Sequence, residues 1–356
     1  MTSTARPAWP DAGNVWSSND RALEMARAIL GSVDAPVGLT PKELVWRKNK
    51  ARLYRYISPE PATHRTPIFL VLPLINRAYI LDLRPGASFV EFLLSQGFDV
   101  FLIDWGTPGD EDRALDVTTL VTRYLPRAAK AIQRTTGVRQ MTVLGYCIGG
   151  VLATCFAALH PEVVRNLVLL TAPLDFSDAG QFGRMTARDT FPVERLTDTF
   201  PIVPGQVPDL GSKLLNPIAN YVGTYTRLWE RLGDPTFDVQ AWQAMYRWVN
   251  DSVPFAGAAF RQWIVEFYQE NRLARDMLEM DGRPVRFSAI RCPVLNIAAS
   301  RDQIAPRATT SVVTQRVAST DASEILIEGG HVGIVVGRSA SQNLWPRVGT
   351  WLSEHD

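Results

Sequence analysis

Six short apolar runs constrain the fold of this chain more than any other feature of its sequence. Continuous apolar runs of this length, separated by segments with helical periodicity, are typical of strands buried on both faces of a parallel sheet. Helices cover the faces of such a sheet, so the pattern predicts an α/β fold. The runs are IFLVLP (68–73), DVFLIDWG (99–106), MTVLGY (141–146), RNLVLLTAP (165–173), PVLNIAAS (293–300) and EILIEGG (324–330).

The spacing of these runs predicts how the chain is divided. More than a hundred residues, rich in proline, aromatic side chains and helical segments, separate the fourth run from the fifth. Because a loop of that length is improbable, we interpret residues 175–287 as an inserted, mostly helical cap. Residues 41–174 and 288–356 then form the core, which opens with an antiparallel hairpin in ELVWRKNKARLYRY. Residues 1–40 form an N-terminal arm with an amphipathic helix around DRALEMARAIL.

Composition narrows the possible functions. The net charge is +1 and no basic run is present, so we expect no nucleic-acid partner. Three scattered cysteines without metal-ligand spacing predict neither a disulfide framework nor a metal site. The first residues lack the features of a signal peptide, and no apolar stretch reaches membrane-spanning length. We therefore expect a cytoplasmic protein.

The segment GYCIGG (145–150) carries the first candidate for catalysis. Cys147 follows a predicted strand and opens a predicted helix, in the place that serine takes in a G-x-S-x-G nucleophile elbow. Flanking Gly145 and Gly149 let strand and helix approach closely, and the helix N-terminus favours a thiolate. A buried structural cysteine is the usual alternative, and we interpret Cys155, two turns into the same helix, in that way.

A nucleophile of this kind needs a base and a carboxylate that orients the base. Of the four histidines, only His331 lies just past a predicted sheet strand, in EILIEGGHVG. Asp302 lies just beyond the preceding strand, in VLNIAASRDQIAP. The order nucleophile, acid, histidine is that of the α/β-hydrolase fold. Cys147, Asp302 and His331 are therefore the predicted catalytic residues.

The same fold predicts where an oxyanion would be stabilised. One donor would be the backbone N–H of Ile148, the residue after the nucleophile. The other would be an N–H of the loop LINRAY that follows the first apolar run, around Asn76. A cysteine at the elbow forms a thioester, close in free energy to an acyl-CoA, which suits a transferase. A cysteine hydrolase stays open at this point.

Several segments resemble the catalytic subunit of two-subunit poly(3-hydroxyalkanoate) synthases of the short-chain-length type, of which there are two kinds. The segments DWGTPGDED and WVNDSVPFAG favour the kind whose small second subunit is related to granule regulators, although the other kind is close. The similarity runs from about residue 37 to the C-terminus. The segments are VGLTPKELVWRKNKARLYRY, LINRAYILDLRPG, GFDVFLIDWGTPGDEDR, GYCIGG and RWVNDSVPFAGAAFRQWIVEFYQENRL.

The resemblance implies an enzyme that polymerises (R)-3-hydroxyacyl-CoA, chiefly 3-hydroxybutyryl-CoA, and releases CoA. Cys147 would hold the acyl or polymer chain, His331 would be the general base, and Asp302 would orient it. CoA would be part of the substrate and a product, so no separate cofactor is implied. The implied partners are the growing polyester and its granule surface, a small second synthase subunit, and a second copy of this chain.

Trp248 and Asp251 match the W-x-x-D element of that family; packing within the cap and substrate contact are both open roles. Two other interpretations compete with a synthase. A dienelactone-hydrolase-like enzyme also has a G-Y-C-x-G-G elbow with Asp and His, on a shorter chain that largely lacks a cap. A non-catalytic granule or scaffold protein on the same fold would be expected to have a degraded triad, whereas all three positions are intact here.

Overall fold

The computed structural model of the chain describes residues 18–356, so the first seventeen residues of the predicted N-terminal arm lie outside the described part. The described part begins with helix α1, Ser18–Gly31, which contains the predicted DRALEMARAIL helix. Ala28 of this helix is buried with Leu228 and Leu232 of the predicted cap, in a small apolar cluster separate from the main core. The arm helix therefore packs against the cap.

An eight-stranded sheet forms the centre of the molecule, as the apolar runs predict. Its spatial order is β1-β2-β4-β3-β5-β6-β7-β8. Strands β1 and β2 pair antiparallel with their neighbours, and the other six strands are parallel to one another. The hairpin supplies the first two strands, and the six apolar runs supply the others. The strands are β1 Lys42–Lys48, β2 Ala51–Tyr56, β3 Ile68–Val71, β4 Val100–Asp104, β5 Met141–Tyr146, β6 Val164–Leu170, β7 Val294–Ala299 and β8 Ala322–Ile327.

Strand β3 lies in the middle of the sheet. Its register pairs Phe69 with Phe101 of β4 on one side and with Val143 of β5 on the other. Phe69 and Phe101 are fully buried, because helices cover both faces of the sheet. Within residues 18–356, three two-stranded ribbons lie outside the sheet. They pair Asp82–Arg84 with Ala87–Ser88, Ile202–Val203 with Phe255–Ala256, and Glu279–Met280 with Arg283–Pro284.

Helices connect the strands and fill the long insertion. After α1 they are α2 Phe89–Ser95, α3 Leu125–Thr136, α4 Ile148–Leu159, α5 Gly180–Met185, α6 Val193–Thr199, α7 Gln206–Leu214, α8 Gly223–Arg231, α9 Val239–Asn250, α10 Gly257–Gln262, α11 Arg307–Thr310, α12 Val312–Arg316, α13 Gly333–Val336 and α14 Trp345–Glu354. The shorter helical elements are of three kinds. They are a single α-helical turn at Val117–Thr119, π-helical stretches at Leu120–Tyr124, Ile218–Val222, Trp263–Gln269 and Ala340–Leu344, and 3₁₀ turns at Ala78–Leu81, Asp110–Asp112 and Phe287–Ala289.

Helices α5–α10 lie between β6 and β7, in the segment interpreted as a cap. An ion pair of 2.7 Å between Asp238, which caps the N-terminus of α9, and Arg84 joins this segment to the core. The exact limits of arm, core and cap remain predictions. Within residues 18–356, no helix combines the length and the apolar character needed to cross a bilayer.

Helix α4 packs so closely against the sheet that positions 149 and 150 in its first turn have no room for a side chain. A Cβ atom on Gly149 would lie 2.1 Å from the carbonyl oxygen of Val71, at the end of β3. A Cβ on Gly145, the strand residue before the turn, would lie 2.4 Å from the Cα of Gly150. Because the obstructing atoms are backbone, they cannot rotate away. Glycine is therefore required at these positions for α4 to begin where it does.

We predict that Gly149→Ala lowers the free energy of unfolding by about 2 kcal/mol or more, since the added methyl group must push α4 away from β3. Urea denaturation followed by circular dichroism measures the effect. Gly333→Ala is the matched control, because a Cβ there would meet open space. Equal stability of Gly149→Ala and the wild type would contradict this account of the packing.

Candidate active site

Cys147 lies in the turn between β5 and α4 and has a strained backbone. Its φ is 53° and its ψ is −126°, a combination that residues other than glycine rarely adopt. Two hydrogen bonds hold this conformation: the Cys147 N–H donates to the Leu170 carbonyl at 2.9 Å, and the Cys147 carbonyl accepts from the Gly150 N–H at 2.8 Å. Strain at this turn is typical of a nucleophile elbow.

His331 and Asp302 form a buried pair beside Cys147. The Nδ1 atom of His331 lies 2.7 Å from Oδ2 of Asp302, and the Asp302 side chain is fully shielded from solvent. The other carboxylate oxygen, Oδ1, accepts the N–H groups of Ile304 at 2.9 Å and Ala305 at 2.8 Å. Both oxygens of Asp302 are therefore engaged, which fixes the carboxylate and, through it, the orientation of the imidazole.

The environment of His331 favours the imidazolium. Burial alone would lower the pKa of His331, but the Asp302 carboxylate and Cys147 outweigh it and raise that pKa well above its ordinary value. Next to it, burial, Cys147 and Asp302 raise the pKa of Tyr146, so its hydroxyl stays protonated. That hydroxyl donates to the His331 carbonyl at 3.4 Å. Tyr146 is a supporting residue that the sequence analysis did not identify.

Two cavities meet at Cys147. One, of about 820 Å³, extends from Cys147 among apolar and aromatic side chains of the insertion, including Phe191, Phe260, Trp263 and Tyr268. The other, of about 1000 Å³, contains His331 as well as Cys147 and has a more polar lining: Asn76, Tyr146, Asp209, Ser212, Lys213, Asn220, Thr224 and Ser252. The thiol is thus accessible from an apolar side and from a polar side.

The predicted oxyanion donors lie around the same cavities. Ile148 is the first residue of α4, and a first-turn N–H has no acceptor within its own helix. Asn76 lies in the loop after β3 and lines the polar cavity together with Cys147. The structure thus brings the loop and the elbow together, while the role of both N–H groups remains a prediction.

The remaining cysteines and histidines lie elsewhere. Cys155 is fully buried in α4, where burial raises the pKa of its thiol far above the ordinary range. Burial also raises the pKa of Cys292, to about 11. His64 stacks on Phe98, His160 lies at the end of α4, and the ring of His355 lies 2.9 Å from Asp321. In the part of the chain that the structure describes, no group of three or more His, Cys, Asp or Glu residues could hold a metal ion.

Trp248 and Asp251, whose role the sequence left open, lie at the C-terminal end of α9. Both bond to the loop that follows β3 rather than to Cys147 or His331. Their contacts are with residues about 170 positions earlier in the chain, so no local pattern could have revealed them. The matching W-x-x-D element was the only signal that they matter.

We predict that Asp302→Asn lowers the free energy of unfolding by about 2 kcal/mol at pH 6 and by less at pH 10. The pKa of His331 in the folded protein lies above its unfolded value of about 6.5. The charged pair therefore stabilises the fold fully below that pH, and this contribution is lost as the pH rises through the folded-state pKa. Chemical denaturation of wild type and variant at both pH values measures the difference.

The matched control is Asp321→Asn, which removes the carboxylate of a half-exposed pair with His355 and should change stability little at either pH. An equal cost of Asp302→Asn at pH 6 and pH 10 would show that His331 is not held as an imidazolium.

The sequence matches two family models. A model described as the alpha/beta hydrolase fold matches residues 82–337, and one described as the N-terminus of poly-beta-hydroxybutyrate polymerase (PhaC) matches residues 18–93. Among solved structures, a monoacylglycerol lipase of Paleococcus ferrophilus superposes with a TM-score of 0.54 at 17% identity, covering 85% of this chain and 99% of the lipase. This likeness supports the α/β-hydrolase fold and nothing finer.

Curated relatives are more similar in sequence. A poly(3-hydroxyalkanoate) polymerase subunit PhaC of Haloferax mediterranei is 36% identical over 98% of this chain and 70% of its own length. The protein of the same name from Allochromatium vinosum is 33% identical over 92% of each chain. The chain therefore belongs to the poly(3-hydroxyalkanoate) polymerase subunit PhaC family, a family of transferase-type synthases on the α/β-hydrolase fold.

Proposed function

We propose that this chain polymerises (R)-3-hydroxyacyl-CoA, chiefly 3-hydroxybutyryl-CoA, into a polyester through a covalent thioester on Cys147, with release of CoA. The observation that carries the proposal is the buried 2.7 Å pair of His331 and Asp302 beside a cysteine in a strained elbow, in a chain of this family. No cofactor is needed, because CoA enters as part of the substrate.

The first step transfers an acyl group from CoA to Cys147. Since Nδ1 of His331 is bonded to Asp302, Nε2 is the atom that takes the thiol proton, and the raised pKa of His331 favours the imidazolium that results. The Cys147 sulfur attacks the thioester carbonyl, and the N–H groups of Ile148 and the loop around Asn76 stabilise the tetrahedral oxyanion. The bond to the CoA sulfur then breaks, and CoA leaves with the proton from His331. One thioester replaces another, so the step is nearly balanced in free energy.

The second step extends the chain. The 3-hydroxyl of an incoming 3-hydroxyacyl-CoA attacks the Cys147 thioester while His331 accepts the hydroxyl proton. A new oxoester bond forms, the carbon–sulfur bond to Cys147 breaks, and the proton passes from His331 to the departing thiolate. The product is a longer acyl-CoA, which returns to a thiol by the first step. Cysteine suits this cycle because a thiolate is a better leaving group than an alkoxide.

The two cavities at Cys147 fit the two parts of the substrate. The apolar cavity around Phe260 and Trp263 suits the acyl or polymer chain, which has no charge. The polar cavity around Lys213 and Asn220 suits the amide and phosphate groups of CoA. Residues of the insertion line both cavities, so in the proposed cycle the cap moves as CoA enters and polymer leaves.

The proposed partners are a small second synthase subunit, a second copy of this chain and the surface of a polymer granule in the cytoplasm. Relatives bearing the name of a polymerase subunit support the first of these. Contact with the polyester is supported by large exposed apolar side chains in α7, in α8 and in the segment that joins them, namely Leu210, Leu214, Ile218, Tyr221, Val222 and Tyr225.

Replacing the nucleophile tests the proposed chemistry. Cys147→Ala should abolish CoA release from 3-hydroxybutyryl-CoA, followed with a thiol reagent, because no thioester can form. Cys292→Ala is the matched control: this half-buried thiol lies outside both cavities and should leave the rate unchanged. CoA release at the wild-type rate by Cys147→Ala would show that the site is assigned wrongly.

The products separate a synthase from the dienelactone-hydrolase-like alternative. The wild type should convert 3-hydroxybutyryl-CoA into oligomers or polymer, which gas chromatography after methanolysis detects. Free 3-hydroxybutyrate as the sole product would contradict the synthase proposal and favour a cysteine hydrolase.

We further predict granule formation in cells that supply 3-hydroxybutyryl-CoA when the chain is co-expressed with a small second subunit of either two-subunit type. Nile red staining measures the polymer, and Cys147→Ala with the same partner is the control that should stay unstained. Failure with every partner, despite folded wild-type protein, would contradict the proposed function.

A further inference from the structure

The loop of residues 72–79, which follows β3 and is here called the β3 loop, is held by the cap. It contains Asn76, the predicted second oxyanion donor. We propose that Asp251 and Trp248 are positioning residues that fix the β3 loop, so that its N–H reaches the oxyanion only while the cap is seated. The proposal rests on the acyl transfer proposed above.

Side chains of the W-x-x-D element bind the part of the loop that directly follows Asn76. Oδ1 of Asp251 accepts from Nε of Arg77 at 2.9 Å, and Oδ2 accepts from the Tyr79 hydroxyl at 3.1 Å. The indole N–H of the buried Trp248 donates to the Arg77 carbonyl at 2.9 Å. Burial and the charge of Asp251 raise the pKa of Tyr79, so its hydroxyl keeps the proton that it donates. Two side chains at the C-terminal end of α9, Trp248 in its last turn and Asp251 directly after it, thus fix three atoms of the loop.

Backbone pairing between the loop and the cap determines where the N–H of Asn76 points. Asn76 and Ser252 form an isolated antiparallel bridge, and the Val253 N–H donates to the Ile75 carbonyl at 3.1 Å. Because this bond joins the residues that flank the pair, Asn76 and Ser252 form a non-hydrogen-bonded pair, and the N–H of Asn76 points away from the partner segment. That N–H is therefore directed away from residues 252 and 253, and Asn76 lines the cavity that contains Cys147.

The core holds the same loop from the opposite side. Nη1 of Arg77 donates to the Thr107 hydroxyl at 2.9 Å, and the Trp105 indole donates to the Leu72 carbonyl at 2.9 Å. Both partners belong to the DWGT segment after β4. Arg77 thus bridges Thr107 of the core and Asp251 of the cap, and its position depends on both.

An oxyanion donor must be placed to within a fraction of an ångström, and the β3 loop has no sheet ladder to place it. The contacts of Arg77, Tyr79 and Asn76 with the cap supply that placement. None of them reaches Cys147 or His331, so loss of the grip should affect stabilisation of the oxyanion and leave the thiol and its base intact. A positioning role therefore predicts slower oxyanion-dependent reactions with an unchanged thiol reactivity, whereas a merely structural role predicts that both are affected.

The test compares Asp251→Asn with the wild type in two reactions of Cys147. Acylation by p-nitrophenyl butyrate, read as the burst of p-nitrophenol, needs the oxyanion donors; alkylation by iodoacetamide forms no oxyanion. We expect the burst rate to fall roughly 10- to 100-fold and the alkylation rate to stay within about twofold. The kcat for CoA release should fall in parallel with the burst while KM changes little, and Asp251→Glu should recover part of the loss.

Asp238→Asn is the matched control. It removes an ion pair between the other end of α9 and the core, at Arg84, while asparagine still caps the helix. Both of its rates should equal those of the wild type. An unchanged burst in Asp251→Asn, or an equal loss of burst and alkylation, would overturn the positioning role. Because the ester burst does not require polymerase activity, a wild type that is acylated by the ester but releases no CoA would refute the proposed function alone.

Discussion

The position of the Cys147 thiol depends on the close packing of α4 against β3. This packing requires glycine at 149, where backbone would occupy the space of a Cβ, and it forces the chain to turn sharply at Cys147 with a φ of 53°. The thiol consequently stands at the head of a helix, at the carboxyl edge of the sheet. Asp302 and His331 follow β7 and β8 and reach the same edge. Parallel strands thus gather residues that lie far apart in the sequence.

A second constraint acts on the β3 loop, where three of the segments that resemble the family converge. LINRAY forms the loop itself, DWGT contacts it from the core, and the end of α9 with Trp248 and Asp251 contacts it from the cap. The three predicted catalytic side chains belong to the predicted core, whereas in the proposed mechanism the geometry around the oxyanion depends on core and cap together. In this account, seating of the cap and acyl transfer are coupled through Arg77.

The sequence predicted the parts of this structure that local chemistry determines. The six apolar runs became β3 to β8 because strands buried on both faces must be apolar throughout, and the hairpin became β1 and β2. Cys147, Asp302 and His331 could be chosen because each lies within a few residues of the end of a strand. The grip of Asp251 on Arg77 joins residues 174 positions apart, and such contacts leave no periodic pattern. Likewise, the sequence of α1 predicted an apolar face, but it did not indicate that this face packs against the predicted cap.

The most direct test of the central claim is to find the acyl group on its proposed carrier. The wild type is mixed with 3-hydroxybutyryl-CoA, quenched in acid within seconds, digested and analysed by mass spectrometry. The account predicts one or more hydroxybutyryl units on the peptide that contains Cys147, attached by a bond that neutral hydroxylamine cleaves, as a thioester requires. An unmodified Cys147 in samples that are releasing CoA would contradict it.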